Sequence, residues 1–356
     1  MTRLFLILLV PLTIAAAQPA PPYERCVSDY QSGSIERAVT CLRSQRFDQG
    51  LNDDVERWIE SARQIKRVAD VEAALFLHTE VFFVTWDATF PPARAPGLSQ
   101  PLFAQARVIR VLHQALVSLG DHRSAALRTW YLLWESFVQA RSAIDLTEYG
   151  NYLDDAVRAF PQDAEVLLAA GSHYELRWWS AYDNPQRQPN GGNKGADELR
   201  SARDWFRKGI VAPGPFNETR LRLGRVLLML GDIDEAETEL RRVQSMSNEP
   251  GLLYVAALLL GDIAQRRGDL EAAAASYEAA SKLVPVAQSA RLASAYVRHL
   301  RGNRKEAAEA VVSALSNQAE DYDPWWLYAG GYSLQFDRLL RLARESVRGA
   351  STGAIR

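Results

Sequence analysis

Histidine and cysteine are the side chains best suited to metal or nucleophilic chemistry, and the chain has five of the first and two of the second. His78, His113, His122, His173 and His299 never recur at the short helical interval that sets two ligands on one face. His113 and His122 flank an expected turn at Gly120-Asp121, without a carboxylate–cysteine cluster beside them. No Gly-x-Ser-x-Gly elbow is present, and no histidine shares a segment with either cysteine. The glycine-rich string Asn190-Gly191-Gly192-Asn193-Lys194-Gly195 has neither the spacing nor the hydroxyl residue after lysine of a phosphate-binding loop. These patterns nominate no catalytic residue, no metal ligand and no cofactor, and the expectation is a protein that is not an enzyme.

The remaining chemistry is that of cysteine pairing and aromatic contact. Cys26 and Cys41 lie fifteen residues apart around the turn sequence Ser32-Gly33-Ser34. In an exported protein such a pair reads as a disulfide stapling a helical hairpin, worth about 3 kcal/mol in the chain-entropy account. The other reading is two buried thiols acting as small apolar residues. Nine tryptophans include the doublets Trp178-Trp179 and Trp325-Trp326. Neighbouring residues on a helix point about 100° apart, so one ring of each doublet can be buried while the other faces out. An exposed ring can anchor a protein partner or stack on a sugar; a buried one is core.

The N-terminus reads as a secretory signal over residues 1–17. Arg3 supplies the charge, Leu4 to Ile14 the apolar stretch, and Ala15-Ala16-Ala17 the small residues before Gln18. That stretch is short of the roughly 18 apolar residues needed to span a bilayer. The expected location is periplasmic or secreted, with an envelope association open. Loss of Arg3 takes the formal charge from −2 to −3. Arg220, Arg222 and Arg225 are interleaved with acids, so nucleic acid is not an expected partner.

Helical periodicity dominates what these residues are mounted on. Val68, Val71, Ala74, Leu75, Val81 and Phe82 form one apolar stripe, and Val108, Val111, Leu112 and Leu116 another. The prolines from Asp87 to Pro101 break the chain between them. Residues 18–162 therefore read as irregular helical hairpins. From 163 to 348 the pattern tightens, apart from an inserted loop at 178–195, and residues 349–356 read as a tail. Three turns, Gly231-Asp232, Gly268-Asp269 and Gly302-Asn303, keep spacings of 37 and 34 residues. Gly224 and Gly261, with Ala236, Ala273 and Ala307 opposite, suit close helix crossings. Asp232, Asp269 and Asn303 are candidate caps, and Glu235 and Glu306 candidate partners in capping boxes. Asp323-Pro324-Trp325-Trp326 is expected to start the last helix, with Tyr328, Leu334, Phe336 and Leu339 covering the last hairpin.

Gly261, Gly268, Ala273, Tyr277, Ala280 and Pro285 fall at the offsets of a helical hairpin repeat, and in them the chain resembles the tetratricopeptide repeat family. The unit from Asn217 matches at Gly224, Leu227, Gly231, Ala236 and Leu240, and the unit from Gln288 at Ala295, Gly302, Ala307 and Ala314. The resemblance implies an all-α, TPR-like solenoid of antiparallel helical hairpins that binds a protein or peptide in a concave groove. It implies, for the groove, Leu221, Arg225, Leu228 and Met229, then Leu258, Asp262, Gln265 and Arg266, then Leu292, Tyr296 and His299. The alternative is a ring of hairpins that binds or degrades polysaccharide, resting on the tryptophan doublets and needing two facing carboxylates. The sequence nominates no convincing pair, Glu175 and Asp183 being merely neighbours of nearby aromatics. A structural subunit of an envelope assembly is a third reading.

Overall fold

The computed structural model describes residues 23–44, 51–89, 99–119, 124–140, 152–183, 194–214, 217–316, 323–329 and 336–352. All regular structure among them is helical. The expected signal at 1–17 and His122 lie outside the described residues. The chain divides into two compact units, one of residues 1–119 and 347–356, the other of residues 120–346.

The first unit holds α1 (Tyr23–Gln31), α2 (Ile35–Ser44), α3 (Leu51–Gln64), α4 (Val68–Thr89) and α5 (Ser99–Leu119). Gly33, at φ +83°, makes the turn between α1 and α2. Across that hairpin the Cys26 and Cys41 sulfurs stand at disulfide distance, 2.08 Å, with the Cα atoms 5.4 Å apart. Residues Val71 to Phe83 of α4 are buried on every side, polar ones included. Each polar side chain there needs a partner. The Tyr30 hydroxyl donates to Glu80. His78 is held between Gln105 Oε1, 2.6 Å from Nδ1, and the Tyr23 hydroxyl, 3.0 Å from Nε2. A neutral ring satisfies both, donating from Nδ1 and accepting at Nε2. Burial lowers its pKa to about 4, against a smaller opposing effect of the Gln105 bond.

The second unit begins with α6 (Ala125–Ala140) and α7 (Tyr152–Ala159). Its aromatic core joins Trp130, Trp134 and Tyr152, with Trp130 and Trp134 stacked at 5.8 Å. Four hairpins follow: α8 (Ala164–Asp183) with α9 (Lys194–Gly209), α10 (Asn217–Leu230) with α11 (Ile233–Met246), α12 (Pro250–Arg266) with α13 (Leu270–Leu283), and α14 (Gln288–Leu300) with α15 (Arg304–Ser316). They form the expected all-α solenoid of antiparallel hairpins. Helix takes up both ends of the 178–195 segment, leaving 184–193 outside the described residues.

The turn glycines Gly231, Gly268 and Gly302 all have φ between +80° and +91°. Capping follows in part. The Asp269 side chain accepts from the Ala272 amide at 2.9 Å, whereas Asp232 makes no side-chain cap bond. Glu235 does not close a capping box; it pairs with Arg207 of α9 at 2.8 Å, a full charge being the stronger partner. Asp163 caps α8, accepting from Glu165 and Val166 amides, while pairing with Arg128 at 2.5 Å.

The end of the chain departs from expectation. It forms two helices, α16 (Pro324–Ala329) and α17 (Phe336–Thr352), and α17 runs into the segment read as a tail. Tyr328 lies over Arg222 and Arg225 of α10, because two cations offer an aromatic face more than an apolar edge does.

Two tests follow from the packing. A Cβ on Gly261 would lie 2.3 Å from the Tyr277 ring. Gly261→Ala should therefore cost about 1–3 kcal/mol of stability by overpacking, with part recovered in Gly261→Ala/Tyr277→Leu, measured by urea denaturation. His78 takes a proton in the unfolded chain at roughly pH 6.5, but in the folded chain only at about 4. The unfolded state then binds more protons between those values, so stability falls as pH drops through that window. The melting temperature of His78→Gln should fall less than that of the parent chain over the same window.

Candidate protein-binding face

The face to test is the one presented by the first helix of each hairpin, where the groove residues were expected. On α10, Arg222 and Arg225 stand three residues apart and share a side of the helix. Both point at Glu175 on α8: Oε2 accepts from Arg222 Nη1 and Oε1 from Arg225 Nη1, each at 2.9 Å. Glu218, one turn before Arg222, accepts from its Nε at 3.0 Å. Two carboxylates and two guanidiniums thus balance in a site where Glu175, Arg222 and Arg225 side chains are 4%, 3% and 7% exposed. Burial acts to lower the Arg222 pKa, yet the charges of Glu175 and Glu218 outweigh it and leave it above the ordinary arginine value.

Helix α16 closes this cluster from the other side. The Tyr328 ring lies 4.6 Å from the Arg222 guanidinium carbon and 5.2 Å from that of Arg225, and the Trp325 ring 5.5 Å from the latter. Burial raises the pKa of the Tyr328 hydroxyl, and Glu175 adds to the effect. Asp323 positions the helix: one carboxylate oxygen accepts from the Trp325 amide at 3.0 Å and the other from the Ser289 amide at the start of α14 at 2.8 Å. Pro324 fits the first helical position, where no amide hydrogen is required.

The expected groove residues divide accordingly. Leu221, Arg225, Leu228 and Leu258 are buried. Met229, Asp262, Gln265 and Leu292 are half-buried, and Arg266, Tyr296 and His299 are exposed. The structure pairs Arg266 with Asp262 at 3.1 Å and stacks Tyr296 on His299, ring centroids 6.5 Å apart and planes 14° from parallel. Sequence reasoning placed Arg225 on this face but missed its partner, because Glu175 lies 50 residues away on another hairpin. It placed Asp323 at the start of a helix but missed its bond to the Ser289 amide of α14.

Other candidates resolve as follows. Glu175 is held by two arginines. Trp325 is part-buried against Arg225, while Trp326 is 64% exposed. Trp178 is part-buried within α8, and the side chain of Trp179 lies outside the described residues. His173 is paired with Glu135 at 2.8 Å. Thr219 of the glycosylation-like sequence Asn217-Glu218-Thr219 is buried in α10. Among the described residues, no three of His, Cys, Asp and Glu are grouped to hold a metal ion, and no helix is long and apolar enough to cross a membrane.

The tetratricopeptide repeat family matches residues 258–324, which run from within α12 to the start of α16. That segment carries tetratricopeptide repeats. No curated protein matches it in sequence. Among solved structures it is similar to YrrB, a TPR protein with an unusual peptide-binding site, at 18% identity over 59% of this chain and 93% of that one, TM-score 0.40. PilW, a type IV pilus biogenesis factor, is 14% identical over 70% and 98%, TM-score 0.44. MamA is 18% identical over 55% and 93%, TM-score 0.38. With every TM-score below 0.5, none of the three bears on what this chain binds.

The ion cluster gives a direct test. Glu175→Ala leaves two buried guanidiniums with Glu218 as their one remaining carboxylate in the cluster and should cost about 3–5 kcal/mol. Replacing Glu175, Arg222 and Arg225 together by Leu, Met and Leu should cost clearly less, as read by the urea midpoint.

Proposed function

We propose that the chain is an exported, non-catalytic scaffold that holds a protein or peptide on the open part of its first-helix face, on α12 and α14. The observation that carries this reading is Tyr296, which is 51% exposed within the repeat segment and stacked on His299. A rigid aromatic side chain offers a large contact area at small entropic cost, which is why tyrosine recurs among residues that dominate binding energy. Arg266 and Asp262 add charge beside it on α12, and Gln265, Met229 and Leu292 add half-buried surface. Leu221, Arg225, Leu228 and Leu258 support that face from beneath.

Export rests on the signal features of residues 1–17 and on the Cys26–Cys41 pair, which suits an oxidising compartment. Both support a periplasmic or secreted location. Polysaccharide binding is the second reading, favoured by the exposed ring of Trp326 on α16.

Affinity capture of the chain from Gln18 onward, out of its own cell envelope and followed by mass spectrometry, tests both. A stoichiometric protein partner should be recovered. Tyr296→Ala with Arg266→Glu should weaken its capture at least about tenfold, the scale of one interface hot spot, while the far-UV circular dichroism stays unchanged. Recovery of glycan instead, lost in Trp326→Ala, would overturn the protein-scaffold reading.

A further inference from the structure

On a different side of α14 from Tyr296 and His299, a cleft of about 510 Å³ opens between α13, α14 and α15. Its floor is a row of basic residues. Arg291, Ser294 and Arg298 recur at intervals of three and four along α14, and Arg301 follows at its C-cap. Ser281 of α13 and Ser313 of α15 stand on its walls, with Ala274 and Ala310 leaving room between them.

The guanidiniums differ in what they hold. Arg301 is committed, donating to the Leu270 carbonyl at 2.7 Å and pairing with Glu271 at 2.9 Å. Arg291 is not: its Nε and one terminal nitrogen are buried from solvent and have no hydrogen-bond partner. A buried cationic donor without an acceptor is costly, so the guanidinium gains by turning out into the cleft to meet one, and a carboxylate is the acceptor whose two oxygens match its fork. Arg298 makes no ion pair among the described residues. The acid in the cleft, Glu278, is already paired with Lys282 at 2.8 Å. The cleft therefore keeps an excess of positive charge.

We propose that this cleft binds an acidic peptide segment in extended form, with carboxylates on Arg291 and Arg298. Spacing separates a peptide from a small oxyanion. Seven residues of helix set the two arginines about 10.5 Å apart along α14, further than one phosphate group spans. A chain in the extended polyproline II form advances about 3.1 Å per residue with three residues per turn, so acidic side chains three positions apart share one side and lie about 9.3 Å apart, close to that distance. Ser281, Ser294 and Ser313 then give hydroxyls to the peptide backbone. This site is separate from the Tyr296 face and does not rest on it.

The test is fluorescence anisotropy of the full chain with a labelled eight-residue peptide carrying aspartate at every third position. Binding should be seen at low salt and fade as salt is added. Arg291→Gln with Arg298→Gln should weaken it at least about tenfold, the loss of two charge-assisted contacts. Glu278→Gln, which removes the acid from the cleft, should tighten it. If circular dichroism shows that the Arg291 variant does not fold, Arg298→Glu and Glu278→Gln carry the same test at exposed positions. Undiminished binding in the arginine variants would overturn the proposal. So would binding of inorganic phosphate alone through the same arginines, with the peptide left unbound.

Discussion

The close crossing of the two helices within a hairpin is the contact on which the second unit depends. In three successive hairpins a glycine of the first helix receives a large side chain of the second: Gly171 faces Phe206, Gly224 faces Leu240, and Gly261 faces Tyr277. An added Cβ would come within 2.2 to 2.8 Å of those side chains, inside any acceptable contact. Each hairpin is therefore held at one separation, and hairpins of equal shape can stack. In the fourth, Ala295 stands at the equivalent place and is 1% exposed. Tyr277 shows what the arrangement achieves. Its ring is buried against a backbone with no side chain to displace it, and the interior stays dense.

A stack of identical hairpins would present a uniform face, and here the uniformity is broken by charge. Glu175 on α8 needs more than one cation to be tolerated out of water, and α10 supplies two from a single side. The pair of guanidiniums in turn requires cover that is neither another cation nor plain hydrocarbon. Tyr328 and Trp325 provide it through their ring faces. Asp323 fixes α16 for this by linking its first turn to the start of α14. Three short-range preferences thus close one part of the first-helix face and leave α12 and α14 to present the rest.

What could be read from the sequence follows the range of the interactions. Turn glycines, small crossing residues and the cysteine pair act within one hairpin, and their spacing is visible directly. The cap at Asp269 was legible for that reason. Glu235 was misread because a capping box competes with an arginine of another hairpin, and nothing in the local sequence shows Arg207. The same limit hid the partner of Arg225 and the path of α16. The open cleft over Arg291 was hidden differently. Arginine on a helix surface is ordinary, and its significance lies in the acceptors that the neighbouring helices do not provide.

One backbone position shows how repeats carry specificity on a shared frame. The residue after the small crossing residue is Arg225 in α10, Asp262 in α12 and Tyr296 in α14. The helices hold these three side chains in corresponding places, yet their fates differ. Arg225 is buried in an ion cluster, Asp262 is paired along its own helix with Arg266, and Tyr296 stands half in solvent against His299. The frame depends on the residue just before, which must be small in every hairpin. That constraint leaves the next residue free to vary without loss of the fold. On the proposed reading a partner is selected at the hairpins where this position remains open, α12 and α14, while on α10 the same position serves the ion cluster.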